Sequence, residues 1–419
     1  MTDKKMTGQS KNISRRRLLQ GFGALGASTM FAGAMFSGIR VAFASAPVDA
    51  RFVFVILRGA MDGLNVIPPY GDGSYVDARN GLALQPADYA PLDNFYGAHN
   101  NLSAFTNMFQ AKEALALQAV ATPYRLRSHF DGQNVLESGG LAPHEIATGW
   151  LNRALALYGA RDKKLGLAVG QSIPLTLQGK VEVATWAPDA LGMPDDTMLI
   201  LLDKMYKKDA LFEQALNEAV NVHNIADQAL GGPDAMKKMG GGQNLQNKAA
   251  MQKTAAAVGK ILSDPQGPRI ATMEINGWDT HFNQGTAKGP LANNLAALDA
   301  GFGALKESLG AVWGKTAILA ATEFGRTVRQ NGTAGTDHGT ASCAFLLGGA
   351  VNGGQVVARW PGLNGNSLYQ NRDLAPTMDL RQAAKAVLVE HLELELAGVE
   401  KYVFPQSAQL RPLEGLIRT

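Results

Sequence analysis

The chain has 419 residues and a formal net charge of +3, and its single cysteine, Cys343, excludes an internal disulfide. Its first 46 residues contain seven Lys or Arg and one acid, a net of +6, so the remainder carries −3. The basic excess therefore gives no reason to expect a nucleic-acid partner. No later apolar run reaches the roughly 18 uncharged residues that a membrane-spanning helix needs, so we expect no span after processing.

The first 46 residues are typical of an export signal. A lysine-containing start is followed by SRRRLLQ (Ser14–Gln20), an apolar Gly/Ala-rich stretch and a small-residue A-S-A ending. The paired arginines followed by two leucines predict the twin-arginine pathway. We predict cleavage after Ala46, with Ala44 as the alternative, and a periplasmic or secreted mature chain (47–419) whose export partner is the twin-arginine translocase. A chain without disulfides suits this route, because it folds in the reducing cytosol before export.

Short apolar runs along the mature chain predict strands buried on both faces, as in a parallel sheet. They are the start of Arg51–Gly73, then Ala114–Val120, Leu165–Gly170, Val181–Thr185, Arg269–Ile275, Thr316–Thr322 and Cys343–Gly349. Helical patterns separate several of them, and the clearest is Leu291–Trp313. This alternation predicts an α/β fold with a doubly wound, mostly parallel sheet.

The interval 195–264 differs from its surroundings. It is rich in helical patterns and clustered lysines, and GGPDAMKKMGGGQ (Gly231–Gln243) interrupts it with the composition of a mobile linker. We predict a helical insertion over or beside the sheet of a single domain. No fixed-period repeat is visible, so a solenoid or propeller is not expected.

Polar and charged side chains follow the predicted strands at several places. Side chains at the carboxyl ends of strands in an α/β sheet line a ligand crevice, so we expect these groups to converge. They are Asp62; Ser128, His129 and Asp131 at the start of a predicted helix; Asp279 and His281; Glu323 and Arg326; and Asp337 and His338.

Carboxylates and imidazoles on converging turns are the ligands that a divalent transition metal ion prefers. An arginine and a helix amino terminus beside them would suit a tetrahedral oxyanion, and a serine could be the nucleophile. Each group also has a structural interpretation. Asp62 could belong to an Asx turn, Glu323 could pair with Arg326, and Asp337 could orient His338.

Taken together, these segments resemble a known family. The twin-arginine signal, LRGAMDGLNVIPPYGD, RSHFDGQNVLESG, GWLNR, GWDTH, TEFGRTVRQNGTAGTDHG, LGGAVNGG and RDLAPTMDLR are similar to the bacterial domain-of-unknown-function family 1501. The likeness extends over about Phe52–Ala397. That family is assigned by similarity to the alkaline phosphatase and sulfatase superfamily, and the resemblance implies a sheet of that type with one or two metal ions at its strand ends.

The resemblance also implies particular metal ligands. Asp62 would match the first-strand metal aspartate, Asp279 and His281 the later Asp/His ligands, and His338 the last metal histidine. Glu323 stands where the superfamily has the first residue of an Asp-His pair. Phe324 occupies the place of the second histidine, and D-T-H has one spacer where phosphatases usually have three. A single metal site is therefore as plausible as a two-zinc centre.

The nucleophile has two candidates in the sequence. Ser128 lies between a predicted strand and a helix, and Thr122 in ATPYR resembles the sulfatase nucleophile segment, although the sulfatase cysteine is absent. The third alternative is that the chain has no nucleophile.

We predict an exported, metal-dependent hydrolase of a small-molecule or polymer phosphate or sulfate ester. Its divalent ion is zinc, calcium or manganese, Ser128 is the nucleophile, Arg326 steadies the oxyanion, and Arg127 and His129 bind substrate. The predicted metal ligands are Asp62, Asp279, His281, Glu323, Asp337 and His338. The alternatives are an exported binding or assembly factor that has lost turnover, and a purely structural use of these polar loops.

Overall fold

The structure is a computed structural model, and it describes residues 49–418 apart from 160–164, 188–195, 266 and most of 208–246. The predicted signal segment (1–46) and the predicted linker Gly231–Gln243 lie outside the described residues. Both stay predictions.

The strands follow the predicted apolar runs closely, with several additional short ones. In chain order they are β1 Arg51–Leu57, β2 Tyr89–Pro91, β3 Gly97–His99, β4 Ala114–Ala121, β5 Gly166–Val169, β6 Ala184–Trp186, β7 Ile270–Ile275, β8 Thr316–Thr322, β9 Ser342–Leu347, β10 Val356–Ala358 and β11 Met378–Asp379. β2 and β3 form a separate antiparallel pair.

One sheet contains the other nine strands, in the order β10-β4-β9-β8-β1-β7-β5-β6, with β11 also paired to β4. β1 lies near the middle, parallel to both β7 and β8, and all seven of its residues are buried. This burial explains why its sequence is continuously apolar rather than alternating.

β9 is the one described strand of this sheet that runs against the others, pairing antiparallel with β4 and β8. The reason is its connection. The chain leaves β8, forms the loop 323–341 at the carboxyl edge and enters β9 from that same edge. A parallel strand would have to begin at the opposite edge, which needs a connection that crosses the sheet. The predicted mostly parallel sheet is confirmed with this exception.

The helices are α1 Gly63–Val66, α2 Tyr75–Arg79, α3 Ser103–Gln110, α4 His129–Ser138, α5 Trp150–Leu157, α6 Asp196–Tyr206, α7 Lys248–Ser263, α8 Pro290–Leu309, α9 Leu380–Ala386 and α10 Leu396–Gly398. Short 3-10 segments lie at Asn80–Leu82, Leu175–Leu177, Gly310–Lys315 and Gly365–Ser367, and π-helical segments at Val387–His391 and Val399–Val403.

Helices cover both faces of the sheet, which confirms the doubly wound prediction. Val53 and Val55 of β1 pack into a core with α3, α7 and α8. The alternate residues Phe52 and Phe54 pack on the other side with α5 and α9. Successive side chains of a strand point to opposite faces, so one apolar strand serves both cores.

The described parts of the predicted insertion (195–264) are mainly α6 and α7. α7 packs against α8 and adds Met251, Ala255 and Val258 to the core. This end of the interval therefore belongs to the helical layer on the sheet. Among the described residues, no helix combines the length and the apolar character needed to cross a membrane.

Helix α3 is capped by a residue from α8. Leu102 precedes α3 and supplies no side-chain cap within the described structure. The buried Asp299 of α8 accepts instead from the backbone N–H groups of Ala104 and Phe105, both at 2.9 Å, and from the Ser103 hydroxyl at 3.2 Å. Two otherwise unpaired amides of the first turn are thereby satisfied by a neighbouring helix.

We predict that Asp299→Ala lowers the free energy of unfolding by about 1–3 kcal/mol, because it leaves these buried amides without an acceptor. Asp299→Asn keeps one side-chain acceptor and should cost less. Urea unfolding gives the values. The exposed Glu307→Ala on the same helix is the control and should change stability by less than about 0.5 kcal/mol. Equal midpoints for Asp299→Ala and the control would contradict the capping role.

Candidate metal centre

The candidate site residues lie at the carboxyl ends of neighbouring strands. Asp62 follows β1, Asp279 follows β7, Glu323 follows β8, and Ser128 comes after β4. These four strands run in one direction, so their ends meet at one edge of the sheet. The expected convergence is therefore built into the topology.

Three imidazole rings turn their Nε2 atoms toward one carboxylate, that of Asp279. The Nε2 atoms of His281 and His338 lie 3.1 Å and 3.3 Å from Asp279 Oδ1. The Nε2 atom of His129 lies 3.4 Å from Asp279 Oδ2. The ligand atoms of His129, Asp279 and His338 all lie within 4.8 Å of one another, which is compact enough for one metal ion.

The opposite ring nitrogen of each histidine contacts an oxygen acceptor. The Nδ1 pairs are His129 with Glu323 Oε1 at 2.8 Å, His281 with Asp337 Oδ1 at 3.2 Å, and His338 with the Arg127 carbonyl at 2.8 Å. Carboxylate and carbonyl oxygens only accept, so each Nδ1 must carry the hydrogen. The neutral rings then present unprotonated Nε2 atoms to the centre, as in metal-binding histidines.

With these tautomers, the Nε2 atoms at the centre have lone pairs but no proton or cation to bind them. The Nε2 atoms of His281 and His338 are 2.9 Å apart, so two lone pairs would face each other unless a proton or a cation lies between them. The Nε2 atom of His129 is buried and has no hydrogen-bond partner among the described residues. A divalent transition metal ion would satisfy all three nitrogens, so the residues present fit the predicted cofactor.

The charges of the cluster also suit a cation. Burial opposes ionisation of Asp279, yet the hydrogen bond and charge of Arg326 hold the pKa of that carboxyl below its usual value. The pKa of His129 is raised, chiefly by its hydrogen bond to Glu323, so a metal ion at this ring has to displace a proton, whereas burial lowers the pKa of His338. A neutral His338 beside an ionised Asp279 is ready to bind a metal ion.

Glu323 is fully buried at the Nδ1 side of His129. It also accepts from the Gly59 amide at 2.9 Å, the Gln133 side chain at 3.2 Å and the Thr322 hydroxyl at 2.9 Å. Burial alone would raise the pKa of Glu323, but the hydrogen bonds from His129 first, then from the Glu323 backbone, Gln133 and Gly59, lower it. The structure therefore places Glu323 where it orients His129, and its predicted role as a ligand stays a prediction.

Asp337 and Asp62 also lie outside the Nε2 cluster. Asp337 contacts His281 Nδ1 and accepts from the Asn331 amide at 3.1 Å, so it orients His281 rather than His338. Asp62 is buried, forms an ion pair with Arg79 and accepts from Gln284 at 2.6 Å. Its other oxygen accepts from Leu64 N, as in an Asx turn.

Arg326 is buried, and all three of its donor groups are engaged. Nη1 donates to Asp279 Oδ1 at 2.6 Å, while Nε and Nη2 donate to the hydroxyl and carbonyl of Thr336. Two donors anchor the guanidinium to Thr336, and the third holds the Asp279 carboxylate in place through one charge-assisted bond. The sequence interpretation that paired Arg326 with Glu323 is not what these contacts show.

Arg127 lies beside the cluster but points away from it. Its guanidinium donates to Asp373 at 2.8 Å and Gln370 at 2.6 Å and lies 5.9 Å from the Tyr369 ring centroid. Its carbonyl is the contact of His338. The φ angle of Arg127 is +63°, which is unusual for a residue with a side chain, and this backbone conformation fixes the direction of the carbonyl that contacts His338.

The two nucleophile candidates differ in access. Ser128 is half-buried at the amino end of α4, where its side chain makes no capping bond to the helix. Thr122 is buried, and its hydroxyl donates to the Glu323 carbonyl at 3.3 Å. Only Ser128 combines partial exposure with a helix amino terminus.

Two glycines let the segments approach this closely. A Cβ on Gly335 would lie 2.3 Å from the His281 carbonyl oxygen, so the glycine-rich loop can lie directly against the segment of Asp279 and His281. A Cβ on Gly132 would lie 2.9 Å from the Phe324 ring, which stacks on His129. The glycines in these motifs are required for contact between segments.

Sequence reasoning placed His129 among substrate-binding residues, and the structure places it in the nitrogen cluster. The sequence analysis did not identify Gln133 and Gly59, which donate hydrogen bonds to Glu323. Gln133 could have been found from its i, i+4 spacing to His129, since residues at this spacing share a helix face.

The fold and the site define a doubly wound α/β protein with a histidine-carboxylate cluster at the carboxyl edge of its sheet. The chain belongs to DUF1501, a family described as protein of unknown function, whose profile matches residues 109–395. No curated protein matches the chain.

Several solved structures are similar at low identity. Phosphonoacetate hydrolase from Sinorhizobium meliloti 1021 with phosphonoformate is 13% identical, with a TM-score of 0.30 and coverage of 68% of this chain and 58% of that one. The C-terminal periplasmic domain of EcEptC from Escherichia coli with Zn is 7% identical (TM-score 0.37; 73% and 74%). PsFucS1 sulfatase from Pseudoalteromonas sp. is 12% identical (TM-score 0.35; 88% and 74%). These likenesses carry no argument about activity.

We predict that the purified protein binds one divalent transition metal ion per chain, with zinc preferred over calcium because three of the nearest atoms are nitrogens. Replacing Glu323 by Gln should weaken zinc binding about 10–100-fold, since it changes the partner that orients His129. His338→Ala removes a predicted ligand and should weaken zinc binding further. Metal analysis gives the zinc content per chain, and competition with a chromogenic chelator gives the zinc affinity. The exposed His144→Ala should bind like the wild type, and a chain that stays metal-free after reconstitution would contradict the site.

We also predict that Gly132→Ala lowers stability by about 1–3 kcal/mol, because its new methyl group meets the Phe324 ring. Zinc affinity should fall with it, since α4 carries His129. The matched control is Gly314→Ala, where nothing lies within 4 Å of the added Cβ. Equal melting temperatures for the two variants would show that the close packing of α4 is not required.

Proposed function

We propose that the protein is an exported, metal-dependent hydrolase of phosphate or sulfate esters. The observation that carries the proposal is the convergence of three Nδ1-anchored imidazoles on Asp279, together with a partly exposed serine that immediately precedes His129 at a helix amino terminus. Export rests on the twin-arginine signal in the first 46 residues.

The residues divide into a metal-holding set and a set that supports it. His129, His281, His338 and Asp279 would hold the ion, and when bound it would supply Lewis-acid stabilisation of the ester oxygens. Glu323, Asp337 and the Arg127 carbonyl fix the ring orientations. In this proposal Arg326 acts on Asp279 and is a positioning residue.

Ser128 is the nucleophile of the proposal. Its hydroxyl oxygen forms a bond to phosphorus or sulfur while the bond to the substrate alcohol breaks, and the alcohol leaves with the serine proton. Water then cleaves the serine ester and restores the hydroxyl, releasing phosphate or sulfate. The free N–H groups in the first turn of α4 are suited to the anionic oxygens of the transferred group.

The alternative is an exported binding or assembly factor, and one observation favours it. Both nearby guanidinium groups are already paired with carboxylates, Arg326 with Asp279 and Arg127 with Asp373. A phosphatase-like site would use such a cation on its substrate. In this alternative the metal centre stabilises the fold or a complex, and Ser128 has no chemical role.

The two candidates separate with Ser128→Ala in zinc-loaded protein. If the proposal holds, aryl phosphates or aryl sulfates are hydrolysed, and the variant loses at least about 1,000-fold in kcat, because attack by serine is removed. Initial rates on a panel of both ester types give the result.

Two variants act as controls for this loss. Ser74→Ala, outside the site, should keep full activity, and Thr122→Ser should keep most of it. Zinc content must be equal in all variants. Turnover that survives in Ser128→Ala would reject the nucleophile assignment, and absence of turnover on every ester by zinc-loaded wild type would favour the binding factor.

A further inference from the structure

The three most exposed large hydrophobic side chains among the described residues belong to residues that are close in sequence to the histidines of the candidate metal centre. They are Phe130 at 87% exposure, Leu126 at 82% and Phe282 at 66%. Scattered exposed hydrophobic residues are normal, but a concentration around one site usually marks a binding surface.

Two of the three are direct neighbours of cluster histidines, since Phe130 follows His129 and Phe282 follows His281. Leu126 precedes Arg127, whose carbonyl contacts His338. Consecutive Cα atoms are about 3.8 Å apart, so all three apolar side chains begin close to the cluster or to a group that supports it. The cluster itself is open to solvent here, since the side chains of His281 and Asp279 are 45% and 43% exposed.

The fold does not need these side chains for its own core. Helix α4 already buries Val135 and Leu136, while Phe130 in its first turn stays in solvent. An amphipathic helix buries one apolar face, and Phe130 lies outside the buried part. Exposing a ring in this position therefore calls for a role other than packing.

We propose that Leu126, Phe130 and Phe282 form an apolar rim that binds the alcohol portion of the substrate. The substrate class is then a phosphate or sulfate monoester of an apolar alcohol, with an aryl or long alkyl group. This inference rests on the proposed function and deepens it. The anionic group enters the polar centre while the apolar group packs on the rim, as in ligand sites where few polar groups fix orientation.

A membrane surface is the competing occupant of such a rim. Membrane-surface sites normally add clustered basic side chains to their apolar residues. Leu126 lies between two guanidinium groups, and both are engaged within the protein: Arg127 is paired with the buried Asp373, and Arg125 donates to the carbonyls of Thr122 and Tyr124. Neither flanking cation is therefore directed to a lipid phosphate, which favours a soluble amphiphilic substrate.

The test compares methylphosphonate with octylphosphonate, which are non-hydrolysable analogues of phosphate monoesters, by calorimetric titration of the zinc-loaded protein. Burying methylene groups is favourable, so octylphosphonate should bind at least about tenfold more tightly, even with partial burial. In the triple variant Leu126→Ser, Phe130→Ser, Phe282→Ser this preference should fall to about twofold or less. Val76→Ser, at a side chain 61% exposed elsewhere, is the matched control and should keep it.

The outcomes distinguish the rim from the proposed function. Equal affinity for both phosphonates in the wild type, or a preference that persists in the triple variant, overturns the rim while the hydrolase proposal stands. Failure of the zinc-loaded wild type to bind either phosphonate or the corresponding methanesulfonate and octanesulfonate, which are analogues of sulfate esters, overturns the proposed function and the rim with it. Rim-dependent binding to phosphatidylglycerol vesicles together with equal phosphonate affinities would assign the rim to a membrane. Phe130→Ser alone, with zinc content checked, serves if the triple variant does not fold.

Discussion

Fixing three imidazoles through their Nδ1 atoms is the constraint on which the site depends. Each ring is held by an acceptor from a different part of the chain, namely Glu323, Asp337 and the Arg127 carbonyl. With the hydrogens placed outward, the lone pairs must face inward, and Asp279 is kept among them by Arg326. With neutral rings, this arrangement is more favourable around a cation than without one, which is why these residues fit a metal site.

Much of the fold could be predicted because it depends on local sequence patterns. The run Thr316–Thr322 is a strand with the predicted bounds, and Leu291–Trp313 contains most of the helix Pro290–Leu309. The direction of β9 could not be predicted in this way. An apolar run has the same composition in either direction, and only the loop between Thr322 and Ser342 decides how the chain returns.

The candidate site was predicted as a set of residues but not as a geometry. Asp279, His281 and His338 converge as the strand ends implied. A displacement of a few ångströms decides whether a carboxylate contacts the metal or a ring nitrogen. Glu323 contacts the Nδ1 atom of His129, on the opposite side of the ring from the Nε2 atom that faces Asp279. Sequence order contains no such distances, and residue type alone could not separate a ligand from its support.

The position of β1 in the sheet has a consequence for biosynthesis. β1 is the first described strand of the chain and lies between β7 and β8, so its two neighbours are made roughly 220–270 residues later. The hydrogen bond from the Gly59 amide to Glu323 likewise cannot form until Glu323 has been synthesised. Neither the central sheet nor the candidate metal centre can therefore form until the chain has been synthesised as far as His338, so folding depends on non-local pairing. An export route that accepts only finished folds would match this order of assembly.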